Sequence, residues 1–261
     1  MSQNQLSPDA SLPRRVFTAV LALTAFFLAP FLVTDAEAGD LAEVNVLGFS
    51  PAGDFFAFEQ FGFEDGSGFP YSHIFVIDVL GDSWVAPSPF RLTDGSDPGP
   101  PEVADAELAA VRKENLDSAS ALLQEKRIGE SGTMVGFSPR TELSADPHRM
   151  RVSARDRGIA PPEVIDLTMN EIPLPSERCN GFGIEDTKGF RLTMLHEGVT
   201  RVLNNDASLP ESRGCALGYR IERVITYYPQ EAPPVFVILV QMAIYGFEGP
   251  DHRYLAIAGR L

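Results

Sequence analysis

The chain is short of positive charge. Its 261 residues hold 21 Lys and Arg against 36 Asp and Glu, a net charge of −15. That balance excludes a general nucleic-acid binder, which needs surplus cations to displace counterions from phosphate. Lysine is the scarcer base (Lys113, Lys126 and Lys188 only), a shortage that reads as genome composition rather than function. There is one tryptophan, Trp84, and the four histidines (His73, His148, His196, His252) have no metal-ligand spacing. The nucleophile elbow, the zinc-protease helix motif, the phosphate loop and the dinucleotide fingerprint are all missing. No cofactor and no metal is therefore expected. A catalytic triad assembled across the chain stays open, because triads are set by geometry rather than order.

Long apolar runs are also missing, with one exception at the start. Arg14 and Arg15 end a polar leader, Val16 to Val33 carries no charge and only one proline, Pro30, and Ala36-Glu37-Ala38 follows. A positive n-region, an apolar h-region and an A-x-A site describe a secretory signal peptide. The competing reading is a membrane anchor, but the run falls just short of the about 20 residues that a span needs. Residues 1–38 are thus expected to be a cleavable signal peptide, cut after Ala38. No Cys follows the apolar run, which argues against a lipid anchor. Arg14-Arg15-Val16-Phe17 also fits part of a twin-arginine signal, although Pro13 stands where Ser or Thr is usual; the general secretory route fits better. The remainder, 39–261, is expected to be a single acidic β-rich domain in the periplasm or outside the cell, without stable membrane insertion after cleavage.

Only two cysteines are present, Cys179 and Cys215. An even count in an exported chain reads as one disulfide. Closing a loop of that length is worth about 4 kcal/mol at most in the chain-entropy model. Two lone cysteines without C-x-x-C or a flanking histidine make poor zinc ligands.

Aromatic and β-branched runs predict strands at Val44 to Phe49, Asp54 to Phe61 and His73 to Val79. The last is apolar on both faces and should be covered on both sides. Ser50-Pro51-Ala52-Gly53 is a turn, and Trp84 reads as a core or strand-end anchor. Thr93 to Pro101 is a Gly/Pro/Asp loop. A helix is predicted over Glu102–Ile128, opened by Pro100-Pro101, acidic at its start, basic at Lys126-Arg127 and stopped by Gly129, with one narrow face on a sheet. Further strands are predicted at Thr133 to Phe137, Met150 to Ala154, Val164 to Met169, Phe190 to Leu195, Tyr219 to Tyr228, Val235 to Tyr245 and Tyr254 to Ala258. Val235 to Tyr245 is too short for a membrane helix and reads as a buried strand. The Phe49-Ser50-Pro51 turn has echoes at Phe137-Ser138-Pro139 and Phe247 to Asp251. Their spacing departs from the about 40–45 residues of a propeller blade. The expected fold is mainly β: antiparallel sheets, as a sandwich or a partial, irregular propeller-like array, with one long α-helix.

Two polar loops are candidates for chemistry. Glu64-Asp65-Gly66-Ser67-Gly68-Phe69-Pro70-Tyr71 could hold calcium through Glu64, Asp65 and loop carbonyls, but lacks the EF-hand ladder and reads first as a turn. Gly246-Phe247-Glu248-Gly249-Pro250-Asp251-His252-Arg253 carries three acid/base types, Glu248, Asp251 and His252, on what reads as a hairpin, with Asp251 and Arg253 paired. Arg149, Arg151, Arg155 and Arg157, diluted by Asp146 and Asp156, read as a solvated face.

Gly48-Phe49-Ser50-Pro51 to Ala57-Phe58-Glu59 and Asp65-Gly66-Ser67-Gly68-Phe69-Pro70-Tyr71 resemble the bacterial predicted secreted protein family catalogued as domain of unknown function 2259. Ser212-Arg213-Gly214-Cys215 with Tyr219, and the Gly246 to Asp251 run, are similar to its later motifs. The resemblance covers nearly all of 39–261, and Ala52 stands where such turns often have Asp. It implies an exported protein of Gram-negative bacteria and implies no activity.

The leading expectation is a non-catalytic binding or structural protein of the periplasm or envelope, with a loop site at Glu64, Asp65, Tyr71, Glu248, Asp251 and His252. One alternative is a periplasmic hydrolase pairing Glu64 or Asp65 with Asp251 or His252; a two-carboxylate version needs a separation of roughly 5–9.5 Å. Another is a calcium-stabilised structural module. An envelope protein is the expected kind of partner.

Overall fold

In β12 (Val235–Ile244) nearly every side chain is buried, and the reason is its place in the middle of the molecule. The computed structural model describes residues 39–96 and 99–261. The leader and its cleavage site, 1–38, lie outside the described residues. Strand side chains alternate between faces. On β12, Val235, Val237 and Leu239 pack into one core, while Phe236, Ile238, Val240 and Met242 pack into another. A strand covered on both faces has no polar alternation, which is why this run is so apolar.

Three antiparallel sheets build these two cores. The first runs β1 (Glu43–Phe49), β2 (Phe55–Phe63), β3 (Pro70–Asp78), with the short β4 (Ser83–Trp84) and β5 (Phe90–Thr93) both along the far side of β3. The second is the meander β7 (Arg149–Ser153), β8 (Val164–Pro173), β9 (Lys188–His196), β10 (Val199–Asn205). The third orders β6 (Thr133–Phe137), β11 (Ala216–Tyr227), β12 and β13 (Asp251–Arg260). The third sheet lies between the others. Against the first it packs Phe49, Phe56, Phe58, Tyr71, Phe75 and Ile77, and against the second Ile165, Leu167, Phe190, Leu192 and Met194. The fold of the described residues is thus mainly antiparallel β with one long helix, and no sheet among them closes into a barrel.

The turn between β1 and β2 is set by its own side chains. Ser50 Oγ accepts the Phe55 N–H at 3.0 Å, Gly53 N–H donates to the Ser50 carbonyl at 2.9 Å, and Gly53 sits at φ +76°, a region that glycine enters without a Cβ clash. β3 is covered on both sides: Phe75, Ile77 and Val79 face the third sheet, and Val76 faces the helix.

The helix α1 (Ala104–Glu125) is preceded by a 3-10 turn, Pro101–Val103, so it starts and stops a little inside the predicted 102–128. Its buried residues are Val111, Asn115, Ala119 and Leu122, one narrow stripe at helical spacing. So little apolar contact is supplemented by a buried polar fastening. Arg112 donates two hydrogen bonds to the Glu59 carboxylate, Nε to Oε1 at 3.0 Å and Nη2 to Oε2 at 2.9 Å. Ser72 Oγ donates to the same carboxylate, and Asn115 Nδ2 donates to the Ser72 carbonyl at 2.8 Å. Breaking such a pair by removing one partner costs far more than the pair contributes, so it fixes the helix's position more than it adds stability.

Cys179, in the helical turn Glu177–Asn180 after β8, is bonded to Cys215 just before β11, with Cα atoms 5.7 Å apart. The predicted pairing is the one present. Trp84 is exposed and sits in the two-residue β4, so it is a strand-end residue and not part of the core. The strands β4, β5 and β10 are additions to the predicted set. Among the described residues no helix is long and apolar enough to cross a membrane.

Candidate functional site

The two Gly-rich loops meet. Asp65 Oδ2 accepts the backbone N–H of Phe247 at 3.1 Å and of Glu248 at 2.7 Å. Gly66, at φ +80°, lies where a Cβ would come within 3.2 Å of the Phe247 ring, so a larger residue there would crowd that ring and strain the turn. Glu64 lies beside Ser67 and Thr93, each hydroxyl 3.5 Å from its carboxylate. Glu248 is exposed. The remaining sequence-selected groups are turned inward. Asp251 Oδ1 accepts the Asp40 N–H at 3.0 Å. Tyr71 is fully buried, and burial pushes its hydroxyl pKa far upward. His252 is buried against the Arg140 guanidinium, and burial with the nearby Arg140 and Arg253 charges pushes it down to about 4. An imidazole with that pKa is a weak base at neutral pH. The structure brings all six residues to one end of β13, where Asp65, Asp251 and His252 are engaged by the chain itself.

A second feature lies further along the same strand. It is a cleft of about 700 Å³. Its lining follows a rule. From β2 it takes Phe58 and Gln60, from β3 His73, Phe75 and Ile77, and from β12 Met242 and Ile244: every second residue, the sign of a strand seen on one face. From β13 it takes five consecutive residues, Arg253 to Ile257. A strand that lines a cavity continuously is presenting its edge.

That edge is partly capped. Residues of even number on β13 point their backbone groups away from β12. His252 N–H donates to the Asp40 carbonyl at 2.7 Å, Tyr254 N–H to Gln60 Oε1 at 2.7 Å, and Ala258 N–H to Asp82 Oδ1 at 2.8 Å. Ala256, between the last two, has no such cap among the described residues. The cleft thus holds one open rung of a strand ladder between two side-chain caps.

Its walls carry aromatic rings and charges of both signs, Arg91, Arg213 and Arg253 with Asp82 and Glu211. Arg91 lies 5.6 Å from the Trp84 ring and 6.0 Å from the Phe75 ring and has no ion pair among the described residues. Arg253 is held by Asp40 at 2.7 Å, with Asp251 4.0 Å away, over the Tyr71 ring at 4.6 Å. Arg213 is paired with Asp206 over the Phe190 ring. His73 is pushed down to about 4 by burial and by Arg91 and Arg253, so it enters the cleft as a neutral group at pH 7. The wall segment Ser212-Arg213-Gly214 precedes Cys215, so the disulfide anchors that side. Two sequence-selected residues, Tyr71 and Asp251, support Arg253 from behind. Sequence reasoning missed the cleft residues Gln60, His73, Arg91 and Ala256. Nothing in their local pattern marks them, since four elements must assemble before they meet.

The family model described as predicted secreted protein (DUF2259) matches residues 57–260. No curated protein and no solved structure matches the chain.

Proposed function

The chain belongs to the predicted secreted protein family of unknown function, and from that premise we propose that it is an exported, non-catalytic binding protein that takes an extended peptide along the edge of β13. In this reading residues 1–38 are removed after Ala38 and the rest works in the periplasm. One observation carries the proposal: five consecutive β13 residues line the cleft, and among the described residues nothing caps the Ala256 backbone between Gln60 and Asp82. An exposed edge is a template for strand addition, in which main-chain hydrogen bonds give affinity and side-chain pockets give specificity. Arg91, which has no ion pair among the described residues, stands beside Trp84 and favours an acidic side chain on the peptide. The paired Gly-rich loops then act as a buttress that fixes the entry end of β13.

The test uses a displayed library of unstructured peptides panned against residues 39–261. Enriched peptides should carry an acidic residue. Arg91→Ala and Ala256→Pro should each weaken them at least about tenfold without lowering the melting temperature. Proline at 256 removes a donor that points away from β12, a position an edge strand tolerates. Enrichment that is equal on wild type and on both variants would sink the reading.

A further inference from the structure

A second cluster, sharing no lining residue with the cleft, sits where β8 begins and β9 ends. Glu163 precedes β8, His196 closes β9, and Glu197 is the first residue of the two-residue turn into β10. The register sets His196 opposite Ile165, two residues from Glu163. Ligand-capable atoms of Glu163, His196 and Glu197 all lie within 4.8 Å of one another.

The informative atom is His196 Nε2. The residue is 8% exposed, and this nitrogen is buried without a hydrogen-bond partner. An orphaned buried ring nitrogen is costly and calls for an explanation. Glu163 Oε1 lies 3.4 Å from it, longer than the 2.7–3.2 Å of a well-formed N–H···O bond. A tetrahedral ion bonded at about 2.0–2.1 Å holds its ligand atoms about 3.4 Å apart. The pair is spaced as two ligands of one ion would be. Glu163 is also oriented as metal-binding carboxylates are: Arg155 Nε donates to Oε2 at 3.0 Å and Tyr228 Oη to Oε1 at 3.0 Å. Glu163 and Glu197, though not His196, line a pocket of about 310 Å³ beside the cluster.

We infer that Glu163, His196 and Glu197 bind a divalent transition-metal ion. One imidazole and two carboxylates with an open position suit zinc best. This site is independent of the peptide reading and stands or falls without it.

The experiment titrates zinc chloride into chelator-treated residues 39–261, free of any histidine tag, by calorimetry, with melting temperature as the second readout. One zinc per chain and a raised melting temperature are expected. His196→Gln and Glu197→Gln should each weaken binding at least about tenfold. Glu197 is exposed, so its variant keeps the fold even if the histidine variant does not. Cobalt(II) in place of zinc should give the visible absorption of a four-coordinate ion, lost in Glu197→Gln. No zinc uptake, or uptake unchanged in Glu197→Gln with no cobalt signal, would overturn the assignment.

Discussion

The Gly-rich loop pair and the β13 cleft are neighbours along one strand, yet they treat polar groups in opposite ways. In the loops, the carboxylates of Asp65 and Asp251 satisfy backbone N–H groups of the protein itself. In the cleft, Arg91 has no ion pair among the described residues and the Ala256 backbone is uncapped. The lesson is that density of polar residues in a sequence marks places where the chain must hold itself together. On the proposed reading, the binding surface is marked instead by groups the fold leaves unanswered, and these are scattered along the chain.

The contrast can be broken most forcefully through the disulfide. Replacing Cys179 and Cys215 by Ser should cost up to about 4 kcal/mol, from the loop of 36 residues that the bond closes. Urea unfolding measures it. The cleft wall at Ser212–Gly214 should loosen, while the Asp65 contacts to Phe247 and Glu248 persist.

Acid should act on both regions at once, through one histidine in each. His73 and His252 have folded pKa values of about 4, against about 6.5 in the unfolded chain. Between these values the unfolded state binds protons that the folded state refuses. Their contribution is therefore complete above pH 6.5 and lost as pH falls toward 4. Asp40 and Asp82 oppose the trend, because burial raises their carboxyl pKa values. Urea midpoints at pH 7 and pH 4.5 should show the loss. His73→Gln and His252→Gln should each flatten part of it.

A smaller effect separates the regions. Asp65→Ala removes two hydrogen bonds to a charged acceptor and should cost about 1–2 kcal/mol, discounted for exposure. Peptide affinity should change little. Arg91→Ala should do the reverse: within about 0.5 kcal/mol of wild type in stability, with peptide binding lost.

Much of the fold was legible in sequence. The both-faces-apolar runs at β3 and β12 announced strands buried on two sides, and Pro100-Pro101 and Gly129 bracketed the helix. The even cysteine count gave the Cys179–Cys215 bond. β10, Val199–Asn205, escaped because its sequence alternates weakly and its side chains are largely exposed. β5 escaped because four residues between Pro89 and the Thr93 loop carry too little pattern. The cleft was illegible for a different reason. Whether β13 is an edge depends on the order of strands in the third sheet, and no local signal encodes that order. The same limit hid the role of Asp65, whose partners lie 182 and 183 residues away.

The most direct measurement is amide hydrogen exchange, residue by residue, on residues 39–261 with and without an enriched peptide. In the free protein Ala256 should exchange fast while Tyr254 and Ala258, capped by Gln60 and Asp82, exchange slowly. Peptide should slow Ala256 and leave Phe247 and Glu248 unchanged. An Ala256 amide already protected in the free protein, or protection gained only at the loops, would contradict the account.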